Sequence, residues 1–233
     1  MLAARIYSDK HQFVLVHGGG KEITQLLTKL RIETKFINGF RFTDRQGLDA
    51  TEMMLSGLIN KRLVKWLQQS GVNAIGLSGV DGKILVARKT KRDGKDIGLV
   101  GEVESVNIDI LENLIKQFAV VLSPISVMDD SSTSLNVNAD YAAAAVASSL
   151  KSELVIFLSN VQGVLKDGKV IQELDEEKFL SLKGSNIVAG GMVPKIEAAL
   201  LALKGGAKKA IVTDTDGACK LISGEIAGTQ VIA

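Results

Sequence analysis

The amino-acid sequence predicts an α/β sandwich with a mainly parallel central sheet, because short apolar runs alternate with longer helix-like segments. Apolar runs of about 4–8 residues between glycine or polar residues are typical of buried strands. The predicted strands cover residues 13–17, 73–78, 119–123, 153–159 and 208–213. The predicted helices cover residues 20–30, 45–70, 108–117, 138–150 and 191–205.

Hairpins are expected in three further segments, at residues 83–88, 98–106 and 163–172. Asp-Gly pairs favour tight turns, and they occur at residues 81–82, 93–94 and 167–168. The only tryptophan, Trp66, is expected to lie in the core on the long helix 45–70.

The most informative motif directly follows the first predicted strand. Residues 13–16 lead into His17 and three glycines, Gly18, Gly19 and Gly20. These glycines leave backbone N–H groups uncovered at the start of a helix, where unpaired donors and the helix dipole together favour an anion. The alternative is a tight turn that happens to be rich in glycine.

A second polar segment leads into the predicted helix 138–150. Asn136, Asn138 and Asp140 are spaced two residues apart, so all three side chains can face one way from an extended approach. Asn138 is a suitable N-cap, and a carboxylate at position 140 suits the first turn of a helix. A cap needs only one polar residue, so the run indicates a polar site, with a well-capped helix as the alternative.

A third motif opens the predicted helix 191–205. Gly190 and Gly191 leave the backbone open before Pro194, which suits a first helical position. Lys195 then lies at the helix start, where the dipole is unfavourable to a cation. An anionic ligand between Lys195 and the helix N-terminus would resolve this conflict, whereas the alternative is a solvated surface lysine.

Composition limits the possible classes of function. The chain has 233 residues, of which 46% are hydrophobic, enough for one large domain or two lobes. A net charge of +2 does not indicate a nucleic-acid-binding surface, and no apolar run reaches the length of a membrane span. The single Cys219 excludes an internal disulfide, and residues 1–12 do not resemble a signal peptide, so we expect a cytoplasmic protein.

The three motifs, in this order, resemble those of the amino acid kinase family over essentially the whole chain. Supporting runs are Asn38-Gly-Phe-Arg41-Phe-Thr43-Asp44, Asn60-Lys61, Gly76-Leu-Ser78-Gly-Val-Asp81-Gly82, Gly98-Leu-Val-Gly101-Glu102-Val and Ser159-Asn160-Val-Gln-Gly163-Val. The resemblance implies a three-layer αβα sandwich of the carbamate kinase-like type, forming one domain over residues 1–233. It also implies an acceptor-binding and dimerisation lobe at 1–150 and a nucleotide-binding lobe at 151–233.

Within the family, the runs are most similar to those of enzymes that phosphorylate the side-chain carboxylate of N-acetyl-L-glutamate in arginine biosynthesis. The implied cofactors are ATP and Mg²⁺, the ion being carried by the nucleotide, and the implied assembly is a homodimer. A carboxylate acceptor is already ionised at neutral pH, because its reference pKa is about 4.3, so no general base is required. Accordingly, His17 is expected to be structural.

The resemblance further implies roles for individual residues. Lys195 is expected to stabilise the transferring phosphoryl group, and Asp140 to hold the catalytic lysines in place. The implied substrate-binding residues are Gly19, Gly20, Arg41 and Asn136. Of these, Arg41 would grip the substrate α-carboxylate with its planar guanidinium, although it could also be an ordinary surface arginine. The implied nucleotide-binding residues are Gly18, Ser159, Asn160, Val161, Gly163, Gly191 and Met192, and no protein ligand for a metal is implied.

The chain departs from the family pattern at its start. Family members have a central strand followed by Lys-x-Gly-Gly, whose lysine reaches the transferring phosphoryl group, whereas residues 1–7 read as the end of the next helix. The chain is therefore either a shortened version of an active enzyme or a natural short form of lower activity. Two other functions stay open: a kinase for carrier-bound aminoadipate or glutamate, and a catalytically silent nucleotide-binding protein.

Overall fold

The computed structural model describes residue 6 and residues 11–37, 40–129 and 131–233. The predicted helix end at residues 1–7 lies outside the described residues, apart from the helical Ile6, and so do Asn38 and Gly39 of the run around Arg41. The chain divides into two compact units between Ala142 and Ala143. We call residues 10–142 the N-terminal unit and residues 143–233 the C-terminal unit. The functional assignment of two lobes remains a prediction.

A parallel sheet forms the centre of the N-terminal unit. Its strands are β1 (Val14–Val16), β4 (Ala74–Ser78) and β7 (Ala119–Ser123), in the order β1-β7-β4. All five residues of β7 are buried because this strand pairs on both sides, with Val121 opposite Leu15 and Gly76. The predicted strands at 13–17, 73–78 and 119–123 are thus present, with ends that differ by one residue or less.

The helices of the N-terminal unit begin and end close to the predicted positions. They are α1 (Gly20–Lys29), α2 (Arg45–Glu52), α3 (Asn60–Gln69), α4 (Ile108–Ile115) and α5 (Ala139–Ser149), the last of which crosses the boundary between the units. Asp44 caps α2 by accepting a hydrogen bond of 2.7 Å from the Gly47 N–H. The predicted helix 45–70 is one continuous segment, but its middle, Met53–Ile59, is a π-helix.

The prediction that Trp66 lies in the core is wrong, because its side chain is 60% exposed. The indole lies on a face of α3 that the neighbouring Leu67, which is 8% exposed, does not share. Met53 on the π-helix is also 60% exposed. The long helical segment therefore presents large apolar side chains to solvent as well as to the core.

A closed barrel completes the N-terminal unit. Its strands are β5 (Leu85–Arg92), β6 (Lys95–Val106), β8 (Ile125–Val127) and β9 (Ser134–Val137), while β2 (Phe36–Ile37) and β3 (Phe40–Arg41) form a separate hairpin. Asp93 and Gly94 both have positive φ and make the predicted turn between β5 and β6. Asp81 and Gly82 instead begin a short 3₁₀ helix that connects β4 to β5.

The strands of the C-terminal unit are β10 (Val155–Leu158), β11 (Leu165–Lys166), β12 (Lys169–Val170), β13 (Glu173–Leu174), β14 (Ala210–Thr213) and β15 (Thr229–Val231). Four of them form a sheet in the order β10-β14-β15-β13, and β11 pairs with β12 in a separate antiparallel hairpin. The helices are α6 (Glu176–Gly184), α7 (Met192–Lys204) and α8 (Thr215–Ile222). Strands β10 and β14 run parallel, and α7 packs against both.

Two of these helices, α6 and α8, have no counterpart among the predicted elements. Each begins at an aspartate whose side chain accepts a hydrogen bond of 2.7 Å from a backbone N–H of the first turn, Asp175 from Lys178 and Asp214 from Gly217. The predicted α/β fold class with parallel strands is confirmed, and the barrel is an addition to it. In the described part of the chain, the helices are too short or too polar to cross a membrane.

Candidate active site

The run of residues 17–20, which we call the glycine loop, leaves the end of β1 and enters α1. The His17 N–H donates to the Leu122 carbonyl at 3.2 Å, so the loop begins as an extension of the sheet. Gly19 occupies the N-cap position of α1 without a capping side chain, which leaves the first N–H groups of the helix to an outside acceptor. A Cβ on Gly19 would collide with the end of the Ile59 side chain, so a larger residue there would displace a side chain of the π-helix.

His17 is buried, with 8% of its surface exposed. Its Nδ1 lies 3.3 Å from the Gly18 carbonyl oxygen, and its Nε2 lies 3.3 Å from Asn60 Nδ2. Burial lowers the pKa of His17 below its usual 6.5, and the hydrogen bond to Gly18 offsets this effect only in part. The imidazole is therefore neutral at pH 7, in agreement with the structural role expected for it.

Arg41 on β3 reaches the start of α1. Its Nη2 donates to Thr24 Oγ1 at 2.8 Å and to the Gly20 carbonyl at 3.2 Å, and its guanidinium carbon lies 4.8 Å from the centre of the Phe36 ring. Its Nη1 is buried and has no hydrogen-bond partner among the described residues. Burial lowers the pKa of Arg41, but a guanidinium remains charged in proteins. Hydrogen bonds within the protein thus hold Nη2 in place, whereas Nη1 is left for an external acceptor.

Asn136 lies next to the segment that carries Arg41. Strand β9 pairs with β6, so that Asn136 stands opposite Val100, and its Nδ2 donates to Thr43 Oγ1 at 3.3 Å. The Thr43 backbone itself pairs with the start of β6, at Ile97 and Leu99. Long-range pairing of strands therefore brings Asn136 to a point two residues along the chain from Arg41.

The beginning of α5 lies beside the glycine loop. Asn138 Oδ1 caps the helix by accepting hydrogen bonds from the N–H of Asp140 at 2.8 Å and of Tyr141 at 3.3 Å. A Cβ on Gly18 would lie 3.5 Å from the Ala139 Cβ, so the loop and the first turn of α5 are in contact. Asp140 is thus the first acidic residue of a helix whose N-terminus adjoins the predicted anion site.

The predicted nucleotide-binding residues of the C-terminal unit follow the ends of parallel strands. Ser159 extends β10, because its N–H donates to the Thr213 carbonyl at 2.8 Å, and Asn160 and Val161 come next. Gly163 has φ +155, and a Cβ there would lie 2.7 Å from Thr229 Oγ1, so a side chain does not fit. Loops after the carboxyl ends of parallel strands are the usual ligand sites of open α/β sheets.

The second predicted segment of this unit is the start of α7. Gly190 has φ +55, and Gly191 is the N-cap residue of α7 without a capping side chain. The helix begins at Met192, so Pro194 is its third residue, two positions later than expected, and Lys195 is its fourth. The Met192 N–H donates to the Ala189 carbonyl at 3.2 Å, the Val193 N–H donates to the Gly190 carbonyl at 3.3 Å, and Pro194 has no N–H. The first turn of α7 before Lys195 therefore lacks the open N–H groups found at α1.

Contacts within the N-terminal unit join the candidates Gly18, Gly20, Arg41, Asn136 and Asp140 into one region. The candidates Ser159, Asn160, Val161, Gly163, Gly191, Met192 and Lys195 belong to the C-terminal unit. No group of three or more His, Cys, Asp or Glu side chains in the described part of the chain could hold a metal ion.

Three contributors to the region around the glycine loop carried no predicted role. Thr24 and Thr43 place the side chains of Arg41 and Asn136, and Asn60 lies behind His17. Thr24 gave no signal in the sequence, because a single threonine on a helix has no distinctive pattern. Asn60 could have been singled out, since asparagine is unfavourable inside a helix unless its side chain has a partner.

The fold is of the α/β class, and the N-terminus of α1 beside the glycine loop offers N–H groups without a capping side chain. A sequence model of the amino acid kinase family matches residues 2–214, and the chain belongs to this family. The resemblance inferred from the motifs is thereby confirmed.

Relatives with curated names are similar over most of the chain. The acetylglutamate kinase of Methanopyrus kandleri is 41% identical over 223 residues, which cover 92% of this chain and 89% of that protein. The acetylglutamate kinase of Shouchella clausii is 45% identical over 204 residues, which cover 87% of this chain and 78% of that protein. Among solved structures, smu.665 from Streptococcus mutans superposes with a TM-score of 0.87 at 28% identity, covering 99% of this chain and 91% of that one.

Proposed function

We propose that this chain transfers the γ-phosphoryl group of ATP to the side-chain carboxylate of N-acetyl-L-glutamate, giving N-acetyl-L-glutamyl 5-phosphate in arginine biosynthesis. The names of relatives that are 41% and 45% identical to it support this reaction. The proposal includes the cytoplasm as the place of the reaction, which the single cysteine in the sequence favours.

The observation that carries the proposal is that the guanidinium of Arg41 uses only one of its two terminal nitrogens for hydrogen bonds to the described residues. One of its terminal nitrogens is held by Thr24 and Gly20, whereas the other is buried and lacks a partner among the described residues. A buried charged donor without an acceptor is costly, and a carboxylate is the acceptor that a guanidinium fork fits best. We therefore assign Arg41 to the α-carboxylate of the substrate, with Asn136 nearby for the acetylamido group.

The reaction presents an electrostatic difficulty, because a carboxylate oxygen must approach an anionic phosphoryl group. Catalysis then depends on positioning and on donors aimed at the transferring group. We assign the N–H groups of Gly19 and Gly20 to the transferring γ-phosphoryl group and the acceptor carboxylate, since they open α1 without a capping side chain. We assign Lys195 to the transferring phosphoryl group and Asp140 to the orientation of the catalytic lysine.

We assign the nucleotide to the C-terminal unit, at the loop of Ser159, Asn160, Val161 and Gly163 and at the N-terminus of α7 with Gly191 and Met192. For Gly18, in the N-terminal unit, we propose the nucleotide-binding role that the family resemblance implies. Mg²⁺ is usually held by substrate phosphates with one or two carboxylates, rather than by a cage of protein ligands. Because the described residues offer no such cage, we propose that Mg²⁺ enters with ATP and neutralises phosphate charge when bound.

We further propose a homodimer formed through the N-terminal unit. Met53 and Trp66 are each 60% exposed and Leu58 is 43% exposed, and all three lie on the continuous segment formed by α2, the π-helix and α3. Large exposed apolar side chains along one element favour contact with another protein surface, and a second copy of the chain is the occupant to which we commit.

The test is turnover of the 233-residue chain with MgATP and N-acetyl-L-glutamate, with the acyl phosphate trapped by hydroxylamine. N-acetyl-L-aspartate and free glutamate are matched controls that differ by one methylene and by the acetyl group. Selective turnover of N-acetyl-L-glutamate supports the proposal. ATP binding without turnover would instead favour a silent nucleotide-binding protein, and turnover of only a carrier-bound acceptor would favour the carrier-dependent reaction.

A further inference from the structure

A fully buried polar contact of the N-terminal unit lies behind the glycine loop. Asn60, the first residue of α3, is 0% exposed. Its Nδ2 lies 3.1 Å from the Leu77 carbonyl oxygen on β4, 3.0 Å from the Val121 carbonyl oxygen on β7 and 3.3 Å from His17 Nε2. One side-chain amide therefore connects the long helical segment, two parallel strands and the residue that begins the glycine loop.

The orientation of this amide is fixed by its partners. The carbonyls of Leu77 and Val121 can only accept, so the amide nitrogen must face them. The amide oxygen then accepts from Lys61 Nζ at 3.1 Å, and the same ammonium donates to the Gly76 carbonyl at 2.7 Å. A Cβ on Gly76 would collide with Asn60 Oδ1, so glycine is required for this close approach.

The hydrogen bonds of His17 have the same direction as those of Asn60, with each residue donating to the next. Because the Gly18 carbonyl can only accept, the contact at 3.3 Å requires a proton on His17 Nδ1. In the neutral imidazole Nε2 then carries a lone pair and accepts from Asn60 Nδ2. The amide nitrogen has two protons for three acceptors, so one proton is shared between His17 Nε2 and a strand carbonyl. The hydrogen bonds thus run one way, from Lys61 through Asn60 and His17 to the Gly18 carbonyl.

We propose that Asn60 is a positioning residue for phosphoryl transfer, acting through His17 to orient the backbone of the glycine loop. This proposal rests on the proposed function, in which the loop N–H groups face the transferring phosphoryl group. The peptide bond between Gly18 and Gly19 is planar and trans, so its C=O and N–H point in opposite directions. Holding the Gly18 carbonyl towards His17 therefore directs the Gly19 N–H away from His17.

The proposal is tested with Asn60→Ala and with the matched control Ser56→Ala. Ser56 Oγ lies 2.8 Å from Ser123 Oγ, so it also connects the π-helix to β7, and this hydrogen bond does not involve His17. Small displacements of a positioned group can cost about 10²-fold in rate, so N60A should lower kcat by roughly that factor and change KM by less than about threefold. S56A should keep kcat within about threefold of the wild type.

A second readout distinguishes positioning from a general loss of stability. The chain has two histidines, His11 and His17, so imidazole ¹⁵N spectra of the wild type and of His11→Gln assign both rings. His17 should be the neutral Nδ1–H tautomer in the wild type and in S56A, and N60A should lose this preference. An Nε2–H tautomer in the wild type, or a folded N60A with the kcat of S56A, overturns the proposal.

Substitution of His17 keeps the proposal testable if N60A does not fold. Glutamine places an acceptor where Nε2 stands, so His17→Gln should retain kcat within about tenfold, whereas His17→Ala should fall about 10²-fold. Equal kcat values for these two variants contradict the proposal. If the wild type itself forms no acyl phosphate, the proposed function fails, but the positioning role is still tested by the amide signals of Gly19 and Gly20. Signals that differ between N60A and S56A support the role, and signals that are identical in the two variants overturn it.

Discussion

Replacing Arg41 by alanine should weaken N-acetyl-L-glutamate binding far more than it slows the chemical step. The size of the effect follows from which donors are already used. Nη2 serves Thr24 and Gly20 within the protein, so we count only the buried Nη1 as newly bonded by the substrate carboxylate. A hydrogen bond to a charged group contributes about 1.5–3 kcal/mol, which corresponds to roughly a 10- to 10²-fold increase in KM.

The conservative variant Arg41→Lys separates charge from geometry. An ammonium keeps the attraction to the carboxylate but cannot serve Thr24, Gly20 and the substrate in the fixed geometry of a fork. We expect about a tenfold increase in KM for R41K, between the wild type and R41A. The assay is the hydroxylamine trap at varied N-acetyl-L-glutamate and saturating MgATP, which gives KM and kcat separately.

Arg45 is the matched control because it lies four residues along the chain. Its Nε pairs with Asp49 at 3.2 Å, and its side chain is 70% exposed, so Arg45→Ala should leave KM within about twofold. The assignment of Arg41 is refuted if R41A also leaves KM within twofold, or if R45A raises KM as much as R41A does.

Three further predictions concern stability and assembly. Gly98→Ala should destabilise the fold by about 1–3 kcal/mol more than Gly94→Ala, as measured by urea unfolding. Both glycines have positive φ, but only at Gly98 would a Cβ collide with neighbouring backbone. Equal losses of stability would contradict this prediction. The lowered pKa of His17 means that the unfolded chain takes up a proton below pH 6.5 while the folded chain does not, so the free energy of unfolding falls as the pH drops from 6.5 towards the folded pKa. His17→Gln should flatten that fall between pH 7 and 5.5, and unchanged slopes would exclude His17 as its source. Trp66→Glu should convert the proposed dimer to a monomer in light scattering, whereas Leu201→Glu, which alters a 53% exposed apolar side chain of the other unit, should not. A dimer that survives W66E rejects this surface.

Local signals in the sequence account for most of the elements. The apolar runs of β4 and β7 and the Asp-Gly turn between β5 and β6 are each determined by a few neighbouring residues, and the structure has all three. The aspartate caps of α6 and α8 are equally local, so these two helices could have been predicted from Asp175 and Asp214.

Non-local pairing explains what the sequence could not predict. The barrel depends on parallel pairing of β6 with β9, whose residues Val100 and Asn136 are far apart in the chain, and no local pattern encodes that register. The same pairing places Asn136 near Thr43. The exposure of Trp66 was mispredicted for a related reason, since the apolar character of a side chain does not tell which face of a long helix the core covers.

Asn60 shows how a polar residue in a helix can indicate a site that lies elsewhere in the chain. A fully buried asparagine is unfavourable for the helix and costly to desolvate, so its presence requires partners that use its amide fully. Those partners are two strand carbonyls, a lysine and the histidine that begins the glycine loop. A leucine of similar volume would satisfy the packing but leave these groups without their hydrogen bonds, and His17 would lose the donor that fixes its tautomer. The chemistry proposed for the glycine loop therefore places a requirement on residue 60 that packing alone does not.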